Sequence, residues 1–239
     1  MGAQPLASGP NRLVTLGSWR LREGTPSATL HLRGLDPEVQ ILIETAQSAL
    51  DYESFDHVRR AALSDALAWR TTLGRLHDPI GLGIERNLLR HWPVSTHVRL
   101  AEGGELGDLI RVLVSAFTVG APVSVSTGAV PPAGISEFLA RQGITVSLER
   151  DEAWLERIAV AGPAGDFGGA GGVGVVLDDG SPALRVRLIG GDRTRAAEWM
   201  GGLARVTLWA DPVTMAGPVE LLAFLREQAV SVAAHRHGL

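Results

Sequence analysis

The chain has 239 residues, 45% of them hydrophobic and 20% charged, a net charge of −4 and no cysteine. That composition suits a folded domain with a sizeable core and gives no electrostatic basis for nucleic acid or an anionic membrane as partner. The missing cysteine excludes thiolate nucleophiles, disulfides, iron–sulfur clusters and cysteine-ligated zinc; all 22 basic residues are arginine, which excludes Schiff-base lysine and P-loop chemistry as well.

The first ten residues carry neither a basic region nor an apolar run, so no signal peptide is read there. The longest apolar stretch, residues 112–125, is broken by Gly120 and Pro122 and reads as a buried helix followed by a buried strand rather than a membrane span. A soluble, cytoplasmic protein is expected.

In chain order, residues 11–34 read as an irregular or hairpin-like arm, with turn residues Gly24-Thr25-Pro26 and alternation through Leu30-His31-Leu32-Arg33. Asp36 followed by Pro37 is an N-cap pattern, and Val39, Leu42, Ile43, Ala46 and Leu50 recur at helical spacing behind it. A second helix spans about residues 55–73, with Gly74 ending it. Beyond residue 85 strands and helices alternate. Residues 95–100 read as a strand, 106–119 a helix, 122–126 a strand, 132–142 a helix closed by Gly143, 144–148 a strand and 151–160 a helix headed by Asp151. Then follow a strand at 184–189, a helix opening at Asp192, a strand at 206–209, a helix at about 218–227 and a last strand at 230–233. Strands separated by single helices imply right-handed crossovers. The expected fold is α/β, a Rossmann-like, doubly wound, mostly parallel sheet. It divides into an N-terminal helical and hairpin arm over 1–85 and the sheet domain over 86–239.

The glycine-rich segment 161–180 interrupts this rhythm and is expected to be a loop, with a short hairpin at 173–177 turning through Asp178-Asp179-Gly180-Ser181. It holds a formal G-x-G-x-x-G at Gly169, Gly171 and Gly174, but a helix precedes it and a strand-like run follows, the reverse of a dinucleotide site. Better-placed turns for a phosphate are Ser126-Thr127-Gly128 and Gly190-Gly191-Asp192, although neither carries the full fingerprint and ordinary βα turns are favoured. His235 and His237 share a strand-like face without a third ligand near, so a metal site is not expected. No serine sits in a nucleophile elbow, and the six tryptophans are scattered rather than interleaved with arginines. Composition and spacing alone give a soluble α/β domain without a visible active site.

Three stretches add a resemblance. Ser8-Gly9-Pro10-Asn11-Arg12-Leu13 with Leu16-Gly17-Ser18-Trp19 is similar to the segment that closes the aldehyde dehydrogenase module in bacterial proline-catabolic enzymes. Leu82-Gly83-Ile84-Glu85-Arg86-Asn87, with Arg90 and Pro93-Val94, resembles the family's entry into an extra C-terminal domain. Residues 220–232 (ELLAFLREQAVSV), ending in Ala234-His235-Arg236, resemble its terminal motif. The family is proline utilization A and its relatives, of the actinobacterial type, which join proline dehydrogenase to L-glutamate γ-semialdehyde dehydrogenase.

The resemblance implies a non-catalytic, aldehyde-dehydrogenase-derived C-terminal domain. No catalytic or cofactor-binding residue carries over, because the family's nucleophile is a cysteine and its NAD and FAD belong to upstream modules. The expected partner is the catalytic aldehyde dehydrogenase module or a neighbouring subunit. The terminal motif would supply the contact, with Phe224 and Leu225 as apolar anchors, Arg226 and Glu227 as polar contacts, and Val230, Val232 and His235 beside them. Two other readings stand next to this one: a self-standing nucleotide or small-molecule module using the two βα turns, and an oligomerisation domain using the arm at 11–73.

Overall fold

The computed structural model describes residues 32–78, 81, 85–161, 175–176, 182–202 and 206–233. The irregular or hairpin-like arm expected at 11–34, apart from residues 32–34, and most of the glycine-rich segment lie outside these residues, as does His235. The elements are α1 (Pro37–Ala46), α2 (Tyr52–Ala68, continued by a wider π turn through Leu73), β1 (Glu85–Pro93), β2 (Thr96–Leu100), α3 (Leu106–Val119), β3 (Val123–Thr127), α4 (Ala133–Arg141), β4 (Val146–Leu148), α5 (Asp151–Ala161), β5 (Val175–Val176), β6 (Pro182–Ile189), α6 (Arg193–Trp199), β7 (Val206–Trp209), α7 (Gly217–Glu220, running into a 3₁₀ turn Leu221–Phe224) and β8 (Leu225–Ala233).

Side-chain caps mark the starts of α1, α2 and α6, and those of α1 and α6 are the aspartates from which the sequence predicts these helices. The Asp36 carboxylate accepts from the Glu38 amide with Pro37 behind it, Asp51 accepts from the Ser54 amide, and Asp192 accepts from Thr194 and Arg195. Five strands run parallel in the order β4-β3-β2-β6-β7, and the short β5 lies antiparallel on the start of β6. This is the Rossmann-like α/β sheet expected from the alternation, with the chain winding outward from β2 through β3 to β4 and from β6 to β7.

Each face of the sheet is covered. On one side Val98, Leu100, Val123, Val125 and Ile189 meet α3 and α4. Helix α3 is buried almost all round, since Leu109, Ile110, Val112, Leu113, Val114 and Ala116 are all fully enclosed. That follows from its place, with the sheet on one side and α1 and α2 on the other. Val39, Leu42 and Ile43 of α1 and Val58 and Ala62 of α2 belong to the same apolar cluster, so the helices before residue 85 share the sheet's core. On the opposite face Trp154, Leu155 and Ile158 of α5 and Ala196 of α6 cover Val186, Leu188, Val206 and Leu208.

Buried arginines fasten these layers. Arg111 of α3 donates two hydrogen bonds to Asp65 of α2, at 2.6 and 2.9 Å, and Ser115 donates to the same carboxylate at 2.9 Å. Burial pushes the Asp65 carboxyl up, and the facing guanidinium pulls it back. Arg187 of β6 donates to Glu220 at 2.7 Å and to the Leu188, Trp209 and Asp211 carbonyls. The α2–α7 contact also needs Gly217, whose amide donates to Ser64 Oγ at 2.9 Å, because a Cβ there would lie 2.5 Å from the Ser64 carbonyl oxygen.

The C-terminal segment departs from its sequence reading. Helical geometry stops at Phe224 instead of about residue 227, and the strand that follows has nine residues instead of four. The cause is a partner that sequence alternation does not announce. Glu85–Pro93 forms β1 and pairs antiparallel with β8 along its whole length, from Glu85 opposite Ala233 to Pro93 opposite Leu225. Nine consecutive pairings hydrogen-bond the backbone of alternate residues in 225–233 and align its side chains with those of β1, which outweighs the helical preference of Leu-Arg-Glu-Gln-Ala. Among the described residues the two strands form a separate ribbon with no third strand; Leu89 alone reaches a backbone bridge to His77.

Candidate functional sites: the sheet's carboxyl edge and the terminal ribbon

In an open parallel sheet the ligand crevice lies at the carboxyl ends of the two strands from which the chain winds in opposite directions. Here these are β2 and β6, followed by the turns at 101–105 and 190–192. The first turn reads Glu102-Gly103-Gly104-Glu105-Leu106-Gly107. It follows a strand and opens a helix, and it has glycines at the second and third fingerprint positions, Gly104 and Gly107. Reasoning from sequence favours the other turns and misses this one, although its strand-to-helix context is legible. At the first fingerprint position stands Glu102.

Glu102 closes the crevice. Its carboxylate accepts from the Asp151 amide at 2.9 Å, and its own amide donates to both oxygens of the Asp151 carboxylate at 3.2 Å. Arg99 donates to Asp151 at 2.7 Å, tying this reciprocal pair to the sheet. The Ser126-Thr127-Gly128 turn is pressed onto the same place: a Cβ at Gly128 would sit 2.8 Å from the Glu102 backbone nitrogen and Cα. At Gly190-Gly191-Asp192 the helix amides that would meet an anion are already taken by the Asp192 carboxylate. Two carboxylates, Glu102 and Glu105, therefore stand where a Rossmann site presents its pyrophosphate, and like charge opposes that ligand. The hollow that remains, between Ala101, Asp151, Trp154, Leu188, Gly191 and Arg195, measures about 100 Å³, well under the roughly 300 Å³ at which small-molecule sites begin. A larger hollow of about 400 Å³ beside β4 is lined mainly by apolar groups such as Val130, Ile144, Val146 and Leu148.

Beneath α5 lies a buried polar group that resembles a catalytic pair. His97 Nδ1 is 2.8 Å from Ser124 Oγ. Trp154 Nε1 donates to His97 Nε2 at 3.1 Å, and the two rings stack with an interplanar angle of 14°. Indole N–H only donates, so Nε2 is the acceptor and the neutral ring carries its proton on Nδ1, facing the serine. Such a histidine cannot take a proton from Ser124. Burial, with Arg157 and Arg99 adding to it, holds its pKa down to about 3. His97 is a structural group holding α5 to the sheet. Among the described residues no cluster of three or more His, Asp or Glu is placed to hold a metal ion.

The terminal ribbon is the other candidate. Arg185 of β6 donates to the carbonyls of Leu222, Ala223 and Leu225, the last at 2.7 Å, and Thr96 Oγ1 reaches the Ala223 carbonyl. The Val94 amide donates to the Phe224 carbonyl at 2.9 Å, so both strands leave the body from one braced corner. Phe224 is 0% exposed and Leu225 4%. These two residues, expected as anchors for a partner, instead insert into this chain's own core: Phe224 ends the 3₁₀ turn and Leu225 is the first residue of β8, where the ribbon is still against the body. Arg226, Glu227, Val230 and Val232 lie on the ribbon and are exposed, with Trp92 opposite Arg226 56% exposed. His91 faces inward, its ring 3.8 Å from Glu227; burial depresses its pKa and the Glu227 carboxylate opposes that.

No protein-family model and no curated protein sequence matches the chain. Among solved structures it resembles proline utilization A (PutA) from Corynebacterium freiburgense, at 25% identity and a TM-score of 0.54 over 95% of this chain. The chain spans 17% of that protein's length. An NAD-dependent benzaldehyde dehydrogenase from Corynebacterium glutamicum aligns over 73% of this chain and 38% of its own, at 12% identity and a TM-score of 0.43, too distant to bear on function. Among the described residues no helix is long and apolar enough to cross a membrane.

Proposed function

We propose that this chain is a non-catalytic, aldehyde-dehydrogenase-derived domain of an actinobacterial-type L-glutamate γ-semialdehyde dehydrogenase or bifunctional proline utilization A. Its ribbon packs on the catalytic module or on a neighbouring subunit and covers it. In this reading the chain works in the cytoplasm, and NAD and FAD are held by modules other than this one. The observation that carries it is the ribbon itself, a two-stranded projection that leaves Trp92, Val230 and Val232 in solvent at 56, 36 and 49% exposure. A two-stranded ribbon of that length is marginal in water by itself, and apolar exposure of that kind marks a contact surface. The likeness to PutA over almost the whole chain supports the choice of partner. The absence of cysteine leaves no thiolate for aldehyde oxidation.

The reading of a self-standing nucleotide module is opposed by Glu102 and Asp151 in the crevice. Both readings meet in one experiment on the purified chain. With NAD, NADP or ATP at millimolar concentration the melting temperature is expected to move by less than about 1 °C. With L-glutamate γ-semialdehyde and NAD no reduction is expected. A rise of several degrees, or turnover at ordinary enzyme rates, would overturn the proposal.

A further inference from the structure

The two faces of the ribbon differ in charge. Residues directly opposite in an antiparallel pair lie on the same face. The register therefore places Arg86 with Val232, Leu88 with Val230, Arg90 with Gln228 and Trp92 with Arg226 on one face. The ribbon's two carboxylates, Glu85 and Glu227, fall in the alternate set of pairs. The first face thus carries three arginines and no acid, on a chain whose net charge is −4. All three arginines are exposed, and none forms an ion pair among the described residues.

The centre of this face is ordered. Arg90 Nε donates to Gln228 at 2.7 Å, and its guanidinium carbon lies 4.9 Å from the centroid of the Trp92 ring. The stacking fixes a side chain that would otherwise lose several rotamers on binding, and it leaves the terminal nitrogens able to meet a carboxylate in a bidentate pair. Arginine and tryptophan are the residue types that dominate binding energy at protein interfaces. A long polyanion suits the face less well. The rest of the chain is more acidic than the whole and would repel nucleic acid running past the ribbon, while Trp92, Val230 and Val232 ask for apolar contact.

We infer that this face docks a protein surface presenting carboxylates around an apolar depression, with the Arg90–Trp92 pair at the centre of the contact and Arg86 and Arg226 at its rim. The inference rests on the ribbon being the contact surface and adds the chemistry of the partner and a dependence on salt. Rim charges act through long-range attraction that ions screen, and buried apolar contacts do not.

The probe is the purified aldehyde dehydrogenase module of a proline utilization A protein, titrated calorimetrically with the full chain at about 50, 150 and 500 mM salt. Wild-type affinity is expected to fall about tenfold or more across that range. Reversing the face with R86E, R90E and R226E together is expected to weaken binding at low salt by about a hundredfold. V230S with V232S should weaken binding at every salt concentration and leave the salt slope intact. All five positions are exposed, and circular dichroism checks that each variant is folded; the wild-type salt slope decides even where a variant is not. A flat salt response with unchanged affinity in the arginine variant would overturn the charge inference and leave the docking reading standing. No binding by the wild type at any salt concentration would overturn both. Equal or tighter binding of a short DNA duplex would overturn the protein partner.

Discussion

His97 shows how one buried side chain makes the fold sensitive to acid. In the folded chain it stays neutral down to about 3, whereas a histidine in the unfolded chain takes up its proton near 6.5. Between those values the unfolded state binds more protons, so stability falls as pH drops through that window and is fully present above about 6.5. Replacing the ring with phenylalanine removes the titration but strands the Ser124 hydroxyl and the Trp154 N–H. His97→Phe is expected to cost about 1–3 kcal/mol at neutral pH, in line with a buried polar group left unpaired. It should also flatten the acid limb of a plot of unfolding free energy against pH. Urea titrations at half-unit pH steps measure both, and a variant with the wild-type acid limb would show that His97 is not the source. Glu102 is the second single residue with a large consequence. One carboxylate at the first glycine position of a Rossmann turn caps α5 and fills the place a phosphate would take.

Among the elements, the decisive joint is the corner where β1 and β8 leave the body. Arg185 joins three carbonyls there, and burial, with Arg226 nearby, lowers its pKa to about 10, so it stays charged at physiological pH. The guanidinium holds the end of the 3₁₀ turn in the geometry from which β8 departs. Arg185→Met keeps much of the side chain's apolar volume and removes the clamp. Amide hydrogen exchange over Leu225–Ala233 is expected to speed up by about tenfold, with exchange in β2 and β3 unchanged. Equal acceleration throughout would mean that Arg185 serves the whole core rather than the ribbon. A buried ion pair joins another two elements in the same way. Asp65 with Arg111 locks α2 to α3, and truncating either partner would leave a buried charge without its counterpart.

For the whole molecule, the boundary between fold and surface falls inside the terminal motif. Leu221, Ala223, Phe224 and Leu225 are core residues, and Glu220 holds Arg187. From Arg226 to Val232 every residue is exposed. A chain ending at Leu225 is therefore expected to melt cooperatively within a few degrees of the full chain, and one ending at Val219 to remain unfolded. Thermal melts followed by far-ultraviolet circular dichroism distinguish them. Equal loss of structure in both would make the ribbon part of the fold rather than a projection from it.

The helix starts at Asp36 and Asp192 and the strand–helix alternation after residue 95, hence the Rossmann-like sheet, are legible in the sequence, because caps and periodicity are local signals. The absence of a thiolate is legible there too. The rest depends on long-range contacts. Residues 85–93 carry weak alternation, and their extended form is fixed by pairing with a segment about 140 residues away, a contact no local pattern encodes. That pairing converts the end of an expected helix into β8, draws Phe224 and Leu225 into the core and leaves Arg226, Val230 and Val232 outside. Likewise, Glu102 is only a departure from a glycine pattern until the fold brings Asp151 to meet it. Which residues of the terminal motif are available to touch a partner is a matter of what the rest of the chain has already buried.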